Sequence, residues 1–347
     1  MLSRLPCARL AAGAFLLLAA GQLSAGPIRI AAERQAAPCP KGRILGLLRV
    51  DPETPSAGGA ERCIAILEVR DTSDAALEEA VATAARWPSL AGAIVAFGKL
   101  PDPAGDDFAV RVPYAMKKLA SAVRATSPDA EVGFDLTAAV PAGGELALSD
   151  EGLGPYADAL VLRAGRGRVT GGEIRERWLL APLSGPSAAA DVIRLLQDNT
   201  DAVGSVGIVG LTATADRKTG DREARSLERL QAYWTKEVSP DPTPTKITRA
   251  DGTALAALRF FDAKAFTPVL VLAEESAGRI EIELAGGGWA KASVENLETG
   301  ARRDFDVKAA KSLALDLSKG PLAVRLQAEP RTGGETRTTV EVAAARG

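Results

Sequence analysis

CIAILEVRDTSDAALEEAVATAARWPSLAGAIVAFG, residues 63–98, holds an apolar run, a helical stretch and a second apolar run in immediate succession. The runs 63–69 and 91–97 are almost unbroken Ile, Leu, Val and Ala rather than alternating with polar residues. Strands covered on both faces read this way, because neither face meets water. Between them Asp74, Glu78 and Glu79 crowd the first turns of a helix, where negative charge suits the helix dipole. Strand, helix and strand in this order predict a parallel βαβ unit.

The same alternation extends in both directions. Further apolar runs occupy 43–50, 131–136, 159–163, 178–183 and 205–211. Met116, Leu119, Ala120 and Val123 recur at the spacing of one helical face, as do Leu227, Leu230 and Trp234. About seven strands alternating with helices predict an α/β fold, a (β/α)8-type barrel that is complete or short of a strand. An open, doubly wound sheet is the alternative. Residues 26–42, ahead of the first run, read as an extended leader.

Beyond residue 238 the pattern changes. Pro240, Pro242 and Pro244 deny a helix to a stiff linker over 239–246. From 247 to 327 the apolar period drops to two, with runs at 255–260, 269–273, 279–284, 292–297, 313–317 and 322–326. Turn signals such as Gly286-Gly287-Gly288 and Lys319-Gly320-Pro321 separate them. This spacing predicts a small β-sandwich. Residues 328–347, polar and rich in Ala, Gly and Thr, read as a loose tail. The barrel region is then 26–238.

The N-terminus sets the compartment. Arg4 and Arg9 precede an apolar stretch over 10–21, and Leu23-Ser24-Ala25-Gly26 follows with small residues. That is the layout of a secretory signal over residues 1–25, and the stretch is short for a permanent anchor. The expected location is the periplasm or the exterior, with no membrane span after signal cleavage. Cys39 and Cys63 remain after cleavage; an even count in an exported chain suggests a disulfide, with two free thiols the other reading. Forty-two Lys and Arg balance 44 Asp and Glu, and no basic stripe with interleaved aromatics argues for nucleic acid. There is no histidine. Its absence removes Ser-His-Asp and Cys-His catalysis and the usual catalytic zinc sites. No metal or other cofactor is expected, and any chemistry falls to carboxylates, Lys or Tyr.

Candidate residues follow from strand ends, since a barrel builds its site at the C-terminal mouth. Asp135 ends one strand run, Glu68 and Asp71 bracket the end of another, and Asp102 follows a third. These four are the catalytic candidates; the competing reading is loop carboxylates and helix caps. Trp178 and Trp289 are the candidate stacking platforms for sugar rings, whereas Trp87 and Trp234 fit buried helix faces. Arg166 and Arg168, in a glycine-rich loop after 159–163, either contact an anionic polysaccharide or stay solvated.

Tyr114 to Gly133, YAMKKLASAVRATSPDAEVG, resembles a helix–strand segment of the large (β/α)8 clan of retaining glycoside hydrolases, in particular the family 39 β-xylosidase type. The closing strand Gly320-Pro321-Leu322-Ala323-Val324-Arg325-Leu326 is similar to the last sandwich strand of such enzymes. The resemblance implies an acid/base glutamate just upstream, at the end of a Gly-Asn-Glu-Pro motif. Here the chain reads Gly98-Lys99-Leu100-Pro101, so Lys99 and Leu100 stand where the Asn and Glu would be. It also implies a nucleophilic glutamate near the end of the barrel, and the matching run over 206–213 carries no acid. Retaining hydrolysis needs two carboxyls about 5 Å apart. The expectation is therefore a non-catalytic barrel that binds a polysaccharide or oligosaccharide, with Lys99 free to meet an acidic sugar. A glycosidase using displaced carboxylates and a scaffold without a sugar site are the alternatives.

Overall fold

The structure, a computed structural model, describes residues 28–33, 44–50, 53, 62–149, 152–185, 187–199, 205–214, 220–234, 247–255, 257–262, 267–272, 278–284, 289–308 and 310–328. The signal region, the linker 239–246, the tail from 329 and Cys39 lie outside the described residues.

In chain order the first ten strands are β1 (Arg29–Glu33), β2 (Leu45–Val50), β3 (Cys63–Val69), β4 (Gly92–Phe97), β5 (Glu131–Asp135), β6 (Glu145–Leu148), β7 (Ala159–Arg163), β8 (Arg168–Gly171), β9 (Glu176–Pro182) and β10 (Val206–Thr212). Eight of them form a closed parallel barrel in the order β1-β10-β9-β7-β5-β4-β3-β2. The barrel settles the choice against an open sheet. It also corrects the extended leader: Arg29–Glu33 is the first barrel strand, pairing in parallel with β2 and β10. Its apolar centre is only Ile30-Ala31-Ala32, and alanine contributes little strand preference, so the run lacks a clear sequence signature.

Alternation along each strand assigns the two faces. Ala31, Leu47, Ile64, Ile66, Ile94, Ala159, Val161, Trp178, Leu180 and Ile208 fill the barrel interior as one cluster. Outward residues pack under the surrounding layer. That layer holds α1 (Asp74–Ala84) after β3, α2 (Asp106–Thr126) after β4, α3 (Ala188–Gln197) after β9 and α4 (Asp221–Gln231) after β10. Ser73 caps α1, its Oγ accepting from Ala76 N at 3.4 Å. On the β5 and β7 side the crossovers are extended instead. There β6 and β8 pair in parallel as a separate two-stranded sheet, and Leu148, Leu153, Val169 and Ile174 join the core that a helix would otherwise supply.

The C-terminal region comprises β11 (Ile247–Arg249), β12 (Leu258–Asp262), β13 (Thr267–Leu272), β14 (Arg279–Glu283), β15 (Trp289–Asn296), β16 (Arg302–Asp306), β17 (Ser312–Asp316) and β18 (Leu322–Ala328). They form a three-stranded sheet, β11-β14-β17, and a five-stranded antiparallel sheet, β12-β13-β18-β15-β16. Along β13, Val269 and Val271 face the barrel-side cluster with α3 and α4, while Leu270 and Leu272 face the three-stranded sheet. At β13 the five-stranded sheet is thus a middle layer, buried on both sides. No helix among the described residues is long and apolar enough to cross a membrane.

Candidate functional site

The mouth of the barrel follows from the interior pattern. Two residues beyond Ala31, Leu47, Ile66, Ile94, Gly133 and Val161 come Glu33, Arg49, Glu68, Ala96, Asp135 and Arg163, all on the inward face at the C-terminal ends of their strands. The charged members are not independent. Arg49 sits between two acids, its Nε donating to Glu33 Oε1 at 2.9 Å and its Nη1 to Glu68 Oε1 at 2.5 Å. Burial pulls the Arg49 guanidinium down, but its bonds to Glu33 and the charges of Glu33 and Glu68 outweigh this and hold it above its ordinary value. The second oxygen of Glu33 accepts from Ala213 N at 2.9 Å, so this one network spans the ends of β10, β1, β2 and β3.

Across the mouth, Asp135 is buried, with 5% of its side chain exposed, and forms an ion pair with Arg163. Its other oxygen accepts from Thr137 N at 3.0 Å and Thr137 Oγ1 at 2.6 Å. Its oxygens are thus taken up by one guanidinium and by two donors of Thr137.

Of the four carboxylate candidates, the fold brings Glu68 and Asp135 to the same inward row. Glu68 pairs in register with Ala96, and Ala96 with Asp135. Asp71 and Asp102 serve local turns instead. Asp71 Oδ1 accepts from Ser73 N at 2.8 Å, and its bonds to Ser73 hold its carboxyl below the usual range. Asp102 Oδ1 accepts from Ala104 N at 3.0 Å. Lys99 is exposed just past the end of β4, and Leu100 beside it is buried.

The two tryptophan candidates lie elsewhere. Trp178 is a correction: it is fully buried in the barrel interior, its ring pressed against Gly133 and Gly92 and its Nε1 donating to Glu176 Oε1 at 2.8 Å. An indole enclosed on these sides has no face for a sugar. Trp289 starts β15 and packs half-buried against the core between the two C-terminal sheets, away from the mouth strands. Arg166 and Arg168 are exposed, on the turn after β7 and at the start of β8.

With β1 counted, the run matched to a nucleophile, 206–212, is the eighth barrel strand in chain order and β9 the seventh. Neither ends in an acid: β9 closes with Leu180-Ala181-Pro182 and β10 with Gly210-Leu211-Thr212.

Three mouth residues escaped sequence reasoning. Arg49 and Arg163 lay inside or at the end of recognised runs, and Glu33 lay in the misread leader. The signal was available in part: each is two positions from an interior residue. Among the described residues no group of three or more His, Cys, Asp or Glu is placed to hold a metal ion.

No protein-family model matches this chain, and no curated protein matches it. Solved structures do. One described as a glycoside hydrolase is 10% identical with a TM-score of 0.46, covering 88% of this chain and 93% of that one. A family 39 glycoside hydrolase from the gut symbiont Bacteroides cellulosilyticus WH2 is 10% identical with a TM-score of 0.42, covering 88% of this chain and 82% of that one. A family 5 glycoside hydrolase from Bacteroides vulgatus ATCC 8482 is 12% identical with a TM-score of 0.42, covering 81% and 75%. Similarity this low leaves the functional reading to the chain's own residues.

Proposed function

We propose that this chain is an exported, glycoside-hydrolase-like barrel that binds a polysaccharide without hydrolysing it. The observation that carries the reading is the state of the mouth. Its inward carboxylates Glu33, Glu68 and Asp135 are each bonded by an arginine. The ends of β4, β9 and β10 carry Lys99-Leu100, Pro182 and Thr212 where an acid pair would be needed. Hydrolysis with retention requires a proton-donating and a nucleophilic carboxyl about 5 Å apart, and each inward carboxylate here is already bonded to an arginine. The C-terminal sheets are read as a β-sandwich, residues 1–25 as the export signal, and Cys39 as the disulfide partner of Cys63. That last pairing is supported by the disulfide-bonded state of buried Cys63. The purified chain is expected to release no product from a panel of aryl glycosides and polysaccharides, while retarding at least one polysaccharide in affinity electrophoresis. Turnover that disappears on replacing a single Asp or Glu would refute the reading.

One observation favours a second reading, hydrolysis by displaced acids. Glu68 and Asp135 flank Ala96 two strands apart, which separates their backbones by about 9–10 Å. Inverting glycosidases hold their carboxyls about 6.5–9.5 Å apart. If this pair worked, Glu68→Gln and Asp135→Asn would each abolish a measurable wild-type activity.

A further inference from the structure

Helix α2 carries an outer face that no described part of the chain covers. Val110 and Tyr114 are 69% and 51% exposed, the only large hydrophobic side chains exposed among the described residues, and they stand one turn apart on this helix. A lone exposed residue of this kind needs no explanation; here both fall on one line. At 3.6 residues per turn the line runs Asp107, Val110, Tyr114, Lys117 and Ser121, all exposed, opposite the buried face of Phe108, Val112, Met116 and Leu119. Alternating steps of three and four residues are the spacing of a seam along which two helices pack.

The chain's own contacts stop on either side of this line. Lys118 donates to Glu78 on α1, and Arg124 donates to Asp158 in the turn before β7. Among the described residues no α-helix lies between β5 and β9 to extend the layer over it.

The line is also complementary to itself. Place a second copy of α2 antiparallel to the first, with a two-fold axis at the level of Val112. Val110 then meets Tyr114 of the partner subunit, and Asp107 meets Lys117 of the partner subunit, since both pairs of numbers are centred on 112. Within one helix Asp107 and Lys117 are about 15 Å apart, too far to pair. Neither has an ion-pair partner among the described residues; Lys117 rests over the Tyr156 ring, 5.6 Å from its centre.

We propose that this face of α2 is a homodimer interface, built from two antiparallel α2 helices around that two-fold axis. Val110 and Tyr114 form its apolar centre, and the two Asp107–Lys117 pairs set direction and register. Because α2 starts at the mouth end of β4, the pairing points the two barrel mouths in opposite directions. It needs no ligand and stands apart from the polysaccharide reading. A contact of about three turns belongs to the small, transient class, so the dissociation constant expected is on the order of tens of micromolar.

The test is sedimentation velocity of the full chain at concentrations from well below to well above that value. The sedimentation coefficient is expected to climb from monomer to dimer, less steeply at high salt. Tyr114→Ala and Val110→Asn, both at exposed positions, should each weaken dimerisation about tenfold or more while the circular dichroism spectrum stays native. Asp107→Lys and Lys117→Asp should each weaken it as well. The two reversals combined should restore it, because the new pairs form only across the axis. A chain that stays monomeric at the highest concentration, or a dimer indifferent to Tyr114→Ala and to both reversals, would overturn the interface. A double reversal that fails to recover what the single ones lose would overturn the antiparallel register.

Discussion

Gly133 and Trp178 show how single residues fix the barrel interior. Gly133 ends the sequence stretch that carried the resemblance, and the structure supplies its physical reason: a Cβ there would stand 2.5 Å from the Trp178 ring. The ring is fully buried and cannot retreat, so Gly133→Ala is expected to destabilise the chain by about 1–3 kcal/mol in urea unfolding. A wild-type midpoint would contradict the packing. Glu176 makes a pH-dependent case. Burial raises its carboxyl above the ordinary value, although Trp178 Nε1 and Arg29 favour the anion. A raised folded-state pKa contributes stability below the unfolded value that is lost as pH rises through the folded one. Glu176→Gln keeps an acceptor for Trp178 and cannot ionise. Its melting temperature relative to wild type should therefore climb between acid and neutral pH; a pH-independent difference would count against it. Residues of this kind were half legible. Sequence places Trp178 in a strand but not on a face, because its role depends on glycines in two other strands. Asp135 was legible as a strand-end acid, yet its partner Arg163 lies 28 positions away, and no local pattern joins them.

At the scale of elements, seven of the eight barrel strands were readable, because burial on both faces forces continuous apolar runs. The eighth, β1, was lost because five residues with an alanine-rich centre carry little strand preference. Strands β6 and β8 were lost for another reason. They stand where the alternation leads one to expect helices, and they are only four residues long each. Missing β1 left the strand count at seven where the barrel has eight. The helices carry connections that no periodicity reveals. Arg229 on α4 donates through Nη1 to Leu297 O at 3.0 Å and Glu298 O at 2.5 Å. Tyr233, just beyond the helix, donates to Glu295 and lies under Arg325, 4.6 Å from its ring centre. Burial, with the Glu295 bond and charge behind it, pushes the Tyr233 hydroxyl far above its ordinary value, so it stays a donor across the working range. Arg229→Ala is expected to cost about 1.5–3 kcal/mol, the range for a hydrogen bond to a charged group. Scanning calorimetry should show the whole transition moving down. A split into two transitions would mean that α4 does not couple the barrel to the sheets.

For the molecule as a whole, the mouth decides the function. The five-stranded sheet, buried on both faces at β13, ties the C-terminal region to α3 and α4, and the barrel strands hold the mouth residues on one frame. On that frame each inward carboxylate already has an arginine, and under the proposed function Lys99, Leu100, Pro182 and Thr212, at the ends of β4, β9 and β10, stand where an acid pair would be needed. The sequence made the second point visible through Lys99 and Leu100; the first needed the barrel to close, since Glu33, Arg49 and Glu68 come from three strands. The most direct measurement is proton NMR of an oligosaccharide that the chain binds, followed over a long incubation with excess protein. Binding should broaden the sugar resonances while no new reducing-end anomeric signal grows in. Growth of that signal, and its loss in Glu68→Gln or Asp135→Asn, would contradict the account.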